Sequence, residues 1–285
     1  MDAINQHCVI NSYAILNAEA LLESPLQFHL RLSNMATISA HDVSEEYEKS
    51  QIRQFFHHLQ DGICVEVGAN EPVSVCSQSL HLEEKLNWQC VLIEPNPSLA
   101  QKAVSLRPKA IVCEVACTCP ENIGAMILNI PLNESNQEVT GHASLEKNAD
   151  EHNYQHHSCI EVKADTLTHI LQAQNIQHID FLSIDVEGAE MDVLLGLDFN
   201  IYQLQLILLE DKHLYLKKHL FLKQQGYKLV RRLNRNCWYI PQASQPLPVP
   251  VLEKLKLLKR MYISIWFKKI HYAVIHKTLK PFQTL

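Results

Sequence analysis

The sequence has little glycine: 7 in 285 residues, beside 12 prolines. That composition excludes a fibrous or low-complexity protein. No apolar run reaches the roughly 18 residues that a helix needs to cross a bilayer. The opening Met1-Asp2-Ala3-Ile4-Asn5-Gln6-His7 sets no positive charge before an apolar stretch. It does not read as a secretory leader, so the cytoplasm is the expected location. The nine cysteines lack a pairing framework. Cys113, Cys117 and Cys119 are spaced C-x3-C-x-C, not as the paired C-x2-C of a structural zinc site. Cys64, Cys90 and Cys113 sit in apolar runs, where a free thiol behaves as a small hydrophobe. With 47% hydrophobic and 20% charged residues, the chain is too apolar for disorder and long enough for one large domain with attachments.

Positive charge is also scarce over most of the chain. Residues 251–285 hold eight Lys/Arg against Glu253 alone, a net +7, while the whole chain carries −6; the first 250 residues therefore hold −13. So acidic a body is a poor nucleic-acid binder, and no nucleic-acid partner is expected.

Short apolar runs recur along the chain: Ile63–Val67, Cys90–Glu94, Ile111–Val115, Ile179–Ile184, Leu206–Leu209, Tyr227–Val230 and Cys237–Ile240. Helix-length segments separate most of them. Such strands, apolar on both faces, predict an α/β domain with a doubly wound, mostly parallel, seven-stranded sheet. Only Arg231 to Asn236 separate the last two runs, too few residues for a parallel crossover, so these pair as a C-terminal antiparallel hairpin. A helix is expected from Ser44 to about Gln60. Residues 120–160, with a strand-like Ala125 to Ile130 and a polar Asn133 to Asn153, read as an insertion beside the site. The organisation expected is an N-terminal helical extension over 1–50, the main domain over 51–241, and a Pro-rich linker with a basic amphipathic helix over 242–285.

In such sheets ligands lie at the carboxyl ends of the strands. After the first strand comes Glu66-Val67-Gly68-Ala69-Asn70-Glu71-Pro72. A dinucleotide site wants G-x-G-x-x-G there; this loop has one glycine, and Pro72 has no N–H for a phosphate. The loop suits S-adenosylmethionine, with Glu66 near its ammonium, or is an ordinary strand-to-helix turn. After the second strand comes Glu94-Pro95-Asn96-Pro97, where Glu94 can accept from ribose hydroxyls and Asn96 can begin a helix. After the fourth comes Asp185-Val186-Glu187-Gly188-Ala189-Glu190. Three carboxylates at one strand end suit a cation such as a sulfonium, or complement a helix dipole.

These stretches, with Val91-Leu92-Ile93 before Glu94, Asp165-Thr166-Leu167, and Phe181-Leu182-Ser183-Ile184 before Asp185, resemble the FkbM family of S-adenosylmethionine-dependent methyltransferases, in order from about Ile63 to Ile240. The resemblance implies the class I, Rossmann-like methyltransferase fold. It implies O-methylation of a hydroxyl on a saccharide or natural-product-like acceptor. It places Glu66, Gly68, Ala69 and Asn70 at the methionine end, Glu94, Pro95 and Asn96 at the ribose, Ala116 near the adenine, and Asp185 and Glu187 between cofactor and acceptor. Glu66 stands where the family usually has Asp, and Pro72 where it often has Gly.

A hydroxyl acceptor needs a base or a metal. Two arrangements stay open: Asp185 with Glu210 and Asp211 around one Mg²⁺, or His213 as a metal-free base beside Asp185. His142 and Ser144 are expected to border the acceptor pocket, and His152, His156, His157 and Cys159 form a weaker zinc-like cluster. An NAD-dependent oxidoreductase or epimerase, and a non-catalytic cofactor binder, are the rival readings. Residues 251–270 show helical period, with Val251, Leu255, Leu258, Tyr262, Ile265 and Trp266 on one face. That face either packs on the body or makes a peripheral membrane or partner contact.

Overall fold

The computed structural model describes residues 40–145, 154–211, 216–245, 247, 249–264, 267 and 270. Seven strands form the main sheet: β1 (Ile63–Val67), β2 (Gln89–Ile93), β3 (Ile111–Cys113), β7 (Phe181–Ile184), β8 (Leu206–Glu210), β9 (Tyr227–Leu233) and β10 (Asn236–Pro241). Their order across the sheet is β3-β2-β1-β7-β8-β10-β9. All neighbours run parallel except β10, which is antiparallel to both β8 and β9. The expected seven-stranded sheet with a closing hairpin is what the chain forms.

Alternate residues of each strand serve opposite faces, as a pleated sheet demands. Val65, Val67, Leu182, Ile184, Ile207 and Leu209 pack in one core with Leu171, Leu194 and Leu222. Those three come from α4 (Leu167–Ala173), α5 (Glu190–Leu195) and α6 (Leu216–Gln224). Cys64, Leu92, Phe181, Leu206, Leu208 and Trp238 pack in the other with Ile52, Phe56, Leu82 and Ala103. Here α1 (Ala40–Phe55), α2 (Leu80–Leu86) and α3 (Pro97–Leu106) supply the cover. With helices on both faces, the parallel strands need no polar side, which is why they read as continuous apolar runs.

Helix α1 starts and ends earlier than the Ser44–Gln60 span expected, and it runs unbroken across the 50/51 boundary. Within the insertion expected over 120–160, the strand-like Ala125 to Ile130 is a strand, and two further strands flank it in residues 116–165. β4 (Ala116–Cys117), β5 (Gly124–Leu132) and β6 (His156–Asp165) form a second sheet in the order β4-β6-β5. His156, His157 and Cys159 therefore lie on a strand, paired with Leu132, Pro131 and Asn129, and His152 lies outside the described residues.

One buried acid fastens α1 to the hairpin. Glu48 accepts from Trp238 Nε1 at 2.8 Å and Asn236 Nδ2 at 2.6 Å. Burial pushes its carboxyl up to about 8, against those two hydrogen bonds. The native state then holds this proton more tightly than the unfolded chain does. Its contribution is complete below the ordinary value of 4.5 and is lost as pH rises towards 8. Glu48→Gln keeps an acceptor for Trp238, and Asn236 can turn its amide to meet the new N–H. Thermal unfolding across that pH range is expected to show wild type losing up to about 1.4 kcal/mol per pH unit more than E48Q. Parallel curves would show that another group carries the dependence.

Candidate functional site

The strand order reverses between β1 and β7, and a cleft of about 710 Å³ opens at the carboxyl ends of the parallel strands. Its size lies within the roughly 300–1,000 Å³ of small-molecule sites. Ser44 and Glu45 of α1, Asn234–Asn236 of the β9–β10 turn, and the loop around Gly141–Ser144 complete its walls. Ser144 Oγ donates to Glu187 O at 2.9 Å, tying the second sheet to the loop after β7.

The loop after β1 is shaped by close backbone approach. Gly68 has φ +84°, and a Cβ there would lie 1.8 Å from the Asp185 carbonyl oxygen. Asp185 N in turn donates to Val67 O at 3.0 Å, so the ends of β1 and β7 are clasped at this point. Asn70 follows at φ 44°, a left-handed conformation its short polar side chain tolerates. Asn70 Oδ1 is buried and has no hydrogen-bond partner among the described residues.

Glu66 lines the cleft, and three donors also hold it from behind. Oε1 takes Gln78 N at 2.7 Å; Oε2 takes Ser77 Oγ at 3.0 Å and Ser79 Oγ at 2.5 Å. The Arg107 guanidinium stands 3.9 Å away, fully buried, and donates to Ser79 Oγ at 2.9 Å and to Glu83 Oε2 at 2.7 and 3.1 Å. Sequence reasoning missed all of these partners. The one local signal was the small polar run Ser77-Gln78-Ser79, whose hydroxyls suit an acid nearby.

Glu94 lines the cleft with its two oxygens set by backbone N–H groups, from Asn70 at 2.8 Å and Asn96 at 2.9 Å. Burial raises its carboxyl above the ordinary range, and the two N–H groups oppose that shift. Pro95 and Ala116 also line the cleft. Asn96 does not: its Oδ1 accepts from Ser98 N at 3.0 Å and caps α3.

Beyond β7 and β8, Asp185, Glu187 and Glu210 bring carboxylate oxygens within 4.8 Å of one another. Glu187 stands at φ 50° and Gly188 at φ 110°, a strained turn at the mouth of the site. Asp185 opens onto the cleft with protein crowded behind it. That surrounding protein, then the charges of Glu210, Glu187 and Glu190, pushes its carboxyl well above the usual range. Arg235 reaches Glu210 at 3.7 Å. Asp211, expected in this group, is buried and turned to Lys218 at 3.6 Å; Glu187 takes its place. Glu190 is likewise held by Lys218 at 2.9 Å. Ser144 lines the cleft, whereas His142 pairs with Tyr154 OH at 3.1 Å. His213 lies outside the described residues.

The model for the methyltransferase FkbM domain matches residues 66–229. A solved structure, methyltransferase FkbM from Methylobacillus flagellatus KT, is similar at 12% identity with a TM-score of 0.35. The similarity covers 75% of this chain and 58% of that one, so the chain spans a little over half the length of that relative. No curated protein matches.

Proposed function

Because the chain belongs to the FkbM methyltransferase family, we propose that it transfers the methyl group of S-adenosylmethionine to a hydroxyl oxygen of a saccharide or similar small metabolite. The observation that carries this is Glu94. It is a cleft acid aimed by two backbone N–H groups, with lone pairs left to accept from a ribose diol. Asn70 Oδ1, buried and without a partner among the described residues, fits the same ligand, since an orphan acceptor costs about 1–3 kcal/mol until a donor meets it.

Gly68, Ala69 and Asn70 would hold the methionine end, with Glu66 using its remaining lone pair towards the ammonium. Glu94 and Pro95 would hold the ribose, and Ala116 would flank the base. The cofactor supplies an activated methyl group and its own leaving group. The chain's part is to hold the acceptor oxygen in line and to take its proton. Crowded among like charges, Asp185 has more affinity for a proton than a free carboxylate, which suits it as the base with Glu187 and Glu210 beside it. The same three carboxylates are the hard oxygen set that Mg²⁺ takes. Assays with EDTA and with added Mg²⁺ separate the two: activity unchanged by EDTA leaves Asp185 acting alone.

Calorimetric titration with S-adenosylhomocysteine tests the proposal, with NAD in parallel. Micromolar binding is expected for the first and none for NAD. Glu94→Ala removes the acceptor and strands two N–H groups, for a loss of roughly a hundredfold. Binding of NAD alone would overturn the reading. Binding of S-adenosylhomocysteine without turnover on any hydroxyl would leave a cofactor-binding protein.

A further inference from the structure

Helix α7 (Val251–Lys259) stands against β9 with its apolar ridge turned away from the protein. Contact with the body runs through Glu253, whose carboxylate takes Arg231 Nε at 3.0 Å and Nη2 at 3.3 Å. Leu257 and Met261, both half-buried, continue that line at i+4 and i+8. On the other side Val251, Leu252, Leu255 and Leu258 are 72, 63, 56 and 51% exposed. Ile263, Phe267 and Ile270 continue the exposed apolar positions. Of the two expectations for this segment, packing on the body is met among the described residues by the narrow Glu253–Leu257–Met261 line; Ile265, Trp266 and the side chain of Tyr262 lie outside them.

The charges on the same surface are of one sign. Lys254, Lys256, Lys259 and Arg260 are exposed, and the one acid, Glu253, is turned inward to Arg231. Long basic side chains beside an apolar ridge can lay their stems along it and carry their charges outward. This combination fits the boundary between acyl chains and anionic headgroups. A second copy of the chain fits poorly, because a two-fold contact would set the same cations face to face. A nucleic acid would match the charge and leave the leucines in water. We propose that α7 docks on an anionic lipid surface, with Val251, Leu252, Leu255 and Leu258 at the acyl boundary and the lysines at the level of the phosphates. This docking does not depend on the reaction assigned to the cleft.

Flotation of the full chain with vesicles tests it. Binding to phosphatidylcholine–phosphatidylserine vesicles is expected to exceed binding to phosphatidylcholine alone by roughly a hundredfold, since each of the three lysines adds about fivefold. Added salt weakens it. Lys256→Glu with Lys259→Glu lowers binding to the mixed vesicles by at least roughly tenfold. Leu255→Asp with Leu258→Asp abolishes it. All four positions are exposed, so the unfolding midpoint and S-adenosylhomocysteine binding stay unchanged in both variants. Equal binding to the two kinds of vesicle, no binding to either, or indifference to both variants overturns the proposal. So does a dimer in sedimentation that the aspartates dissociate while vesicles go unbound; the ridge would then be an interface between copies.

Discussion

Gly68→Ala is expected to abolish binding of S-adenosylhomocysteine, by more than roughly a hundredfold, and to lower stability by several kcal/mol. The added Cβ would lie 1.8 Å from the Asp185 carbonyl oxygen and 2.9 Å from its carbon. These are backbone atoms of the adjacent strand end and cannot swing aside like a side-chain tip. To make room, the ends of β1 and β7 must part, breaking the Asp185 N to Val67 O bond and spreading the floor of the cleft. Gly226→Ala is the control. Gly226 has nearly the same φ, +85°, and none of the described residues lies within 4 Å of its added Cβ, so it meets the left-handed penalty of about 1 kcal/mol. Calorimetry and thermal unfolding on both variants decide the matter. If the two lose stability equally and both keep the ligand, close approach is not what Gly68 provides.

Arg107→Met is expected to cost about 3–5 kcal/mol, the usual result of leaving buried charge uncompensated. The guanidinium bridges Glu83 and the serines that orient Glu66, and it reaches Pro72 O at 3.4 Å. Its loss takes the guanidinium from Glu83 and the nearby positive charge from the buried Glu66, and loosens the segment from Pro72 to Ser79. Arg107→Lys is expected to rescue little, because one ammonium cannot serve Glu83 and Ser79 from the same place as a planar fork. Arg107→Met with Glu83→Leu should recover part of the loss, since it removes both charges of the closest pair. Chemical denaturation reads all three. A single Arg107→Met within 1 kcal/mol of wild type would mean that the network is dispensable.

The parallel sheet was legible because buried strands admit almost only apolar residues, and Ile63–Val67 or Leu206–Leu209 have no other reading. The strand-end acids were legible for a similar reason: Glu66 stands near the end of an apolar run and Glu94 and Asp185 follow one, where the fold leaves an opening. β6 was not legible. Its first half, His156–Cys159, shows no apolar alternation, and the core-facing Ile160, Val162 and Ala164 alternate with Glu161 and Lys163 over too few positions to announce a ten-residue strand. Arg107 gave no signal either, since its partners lie 24 to 35 residues earlier and are brought to it by the sheet rather than by any local period. Asn96 and Asp211 sit beside site residues in the chain and point elsewhere, one to cap α3 and the other to Lys218. Adjacency in sequence fixes where a backbone passes, and side-chain direction follows from neighbours far along the chain.

The grip of α1 on the closing hairpin also dictates when the cleft can exist during synthesis. Ser44 meets Asn234, and Glu48 meets Trp238, in each case across 190 residues. Such long-range closure comes late in folding. On the ribosome α1 emerges early and waits, its Ile52 and the Phe56 that follows it without the strands that will bury them. Only when β10 has emerged and slotted between β8 and β9 does Glu48 find its two donors and the near wall of the cleft close. A chain truncated before Trp238 would keep every residue of the β1, β2 and β7 loops and still have no finished pocket, so ligand binding by nascent chains of increasing length should switch on in one step at the hairpin.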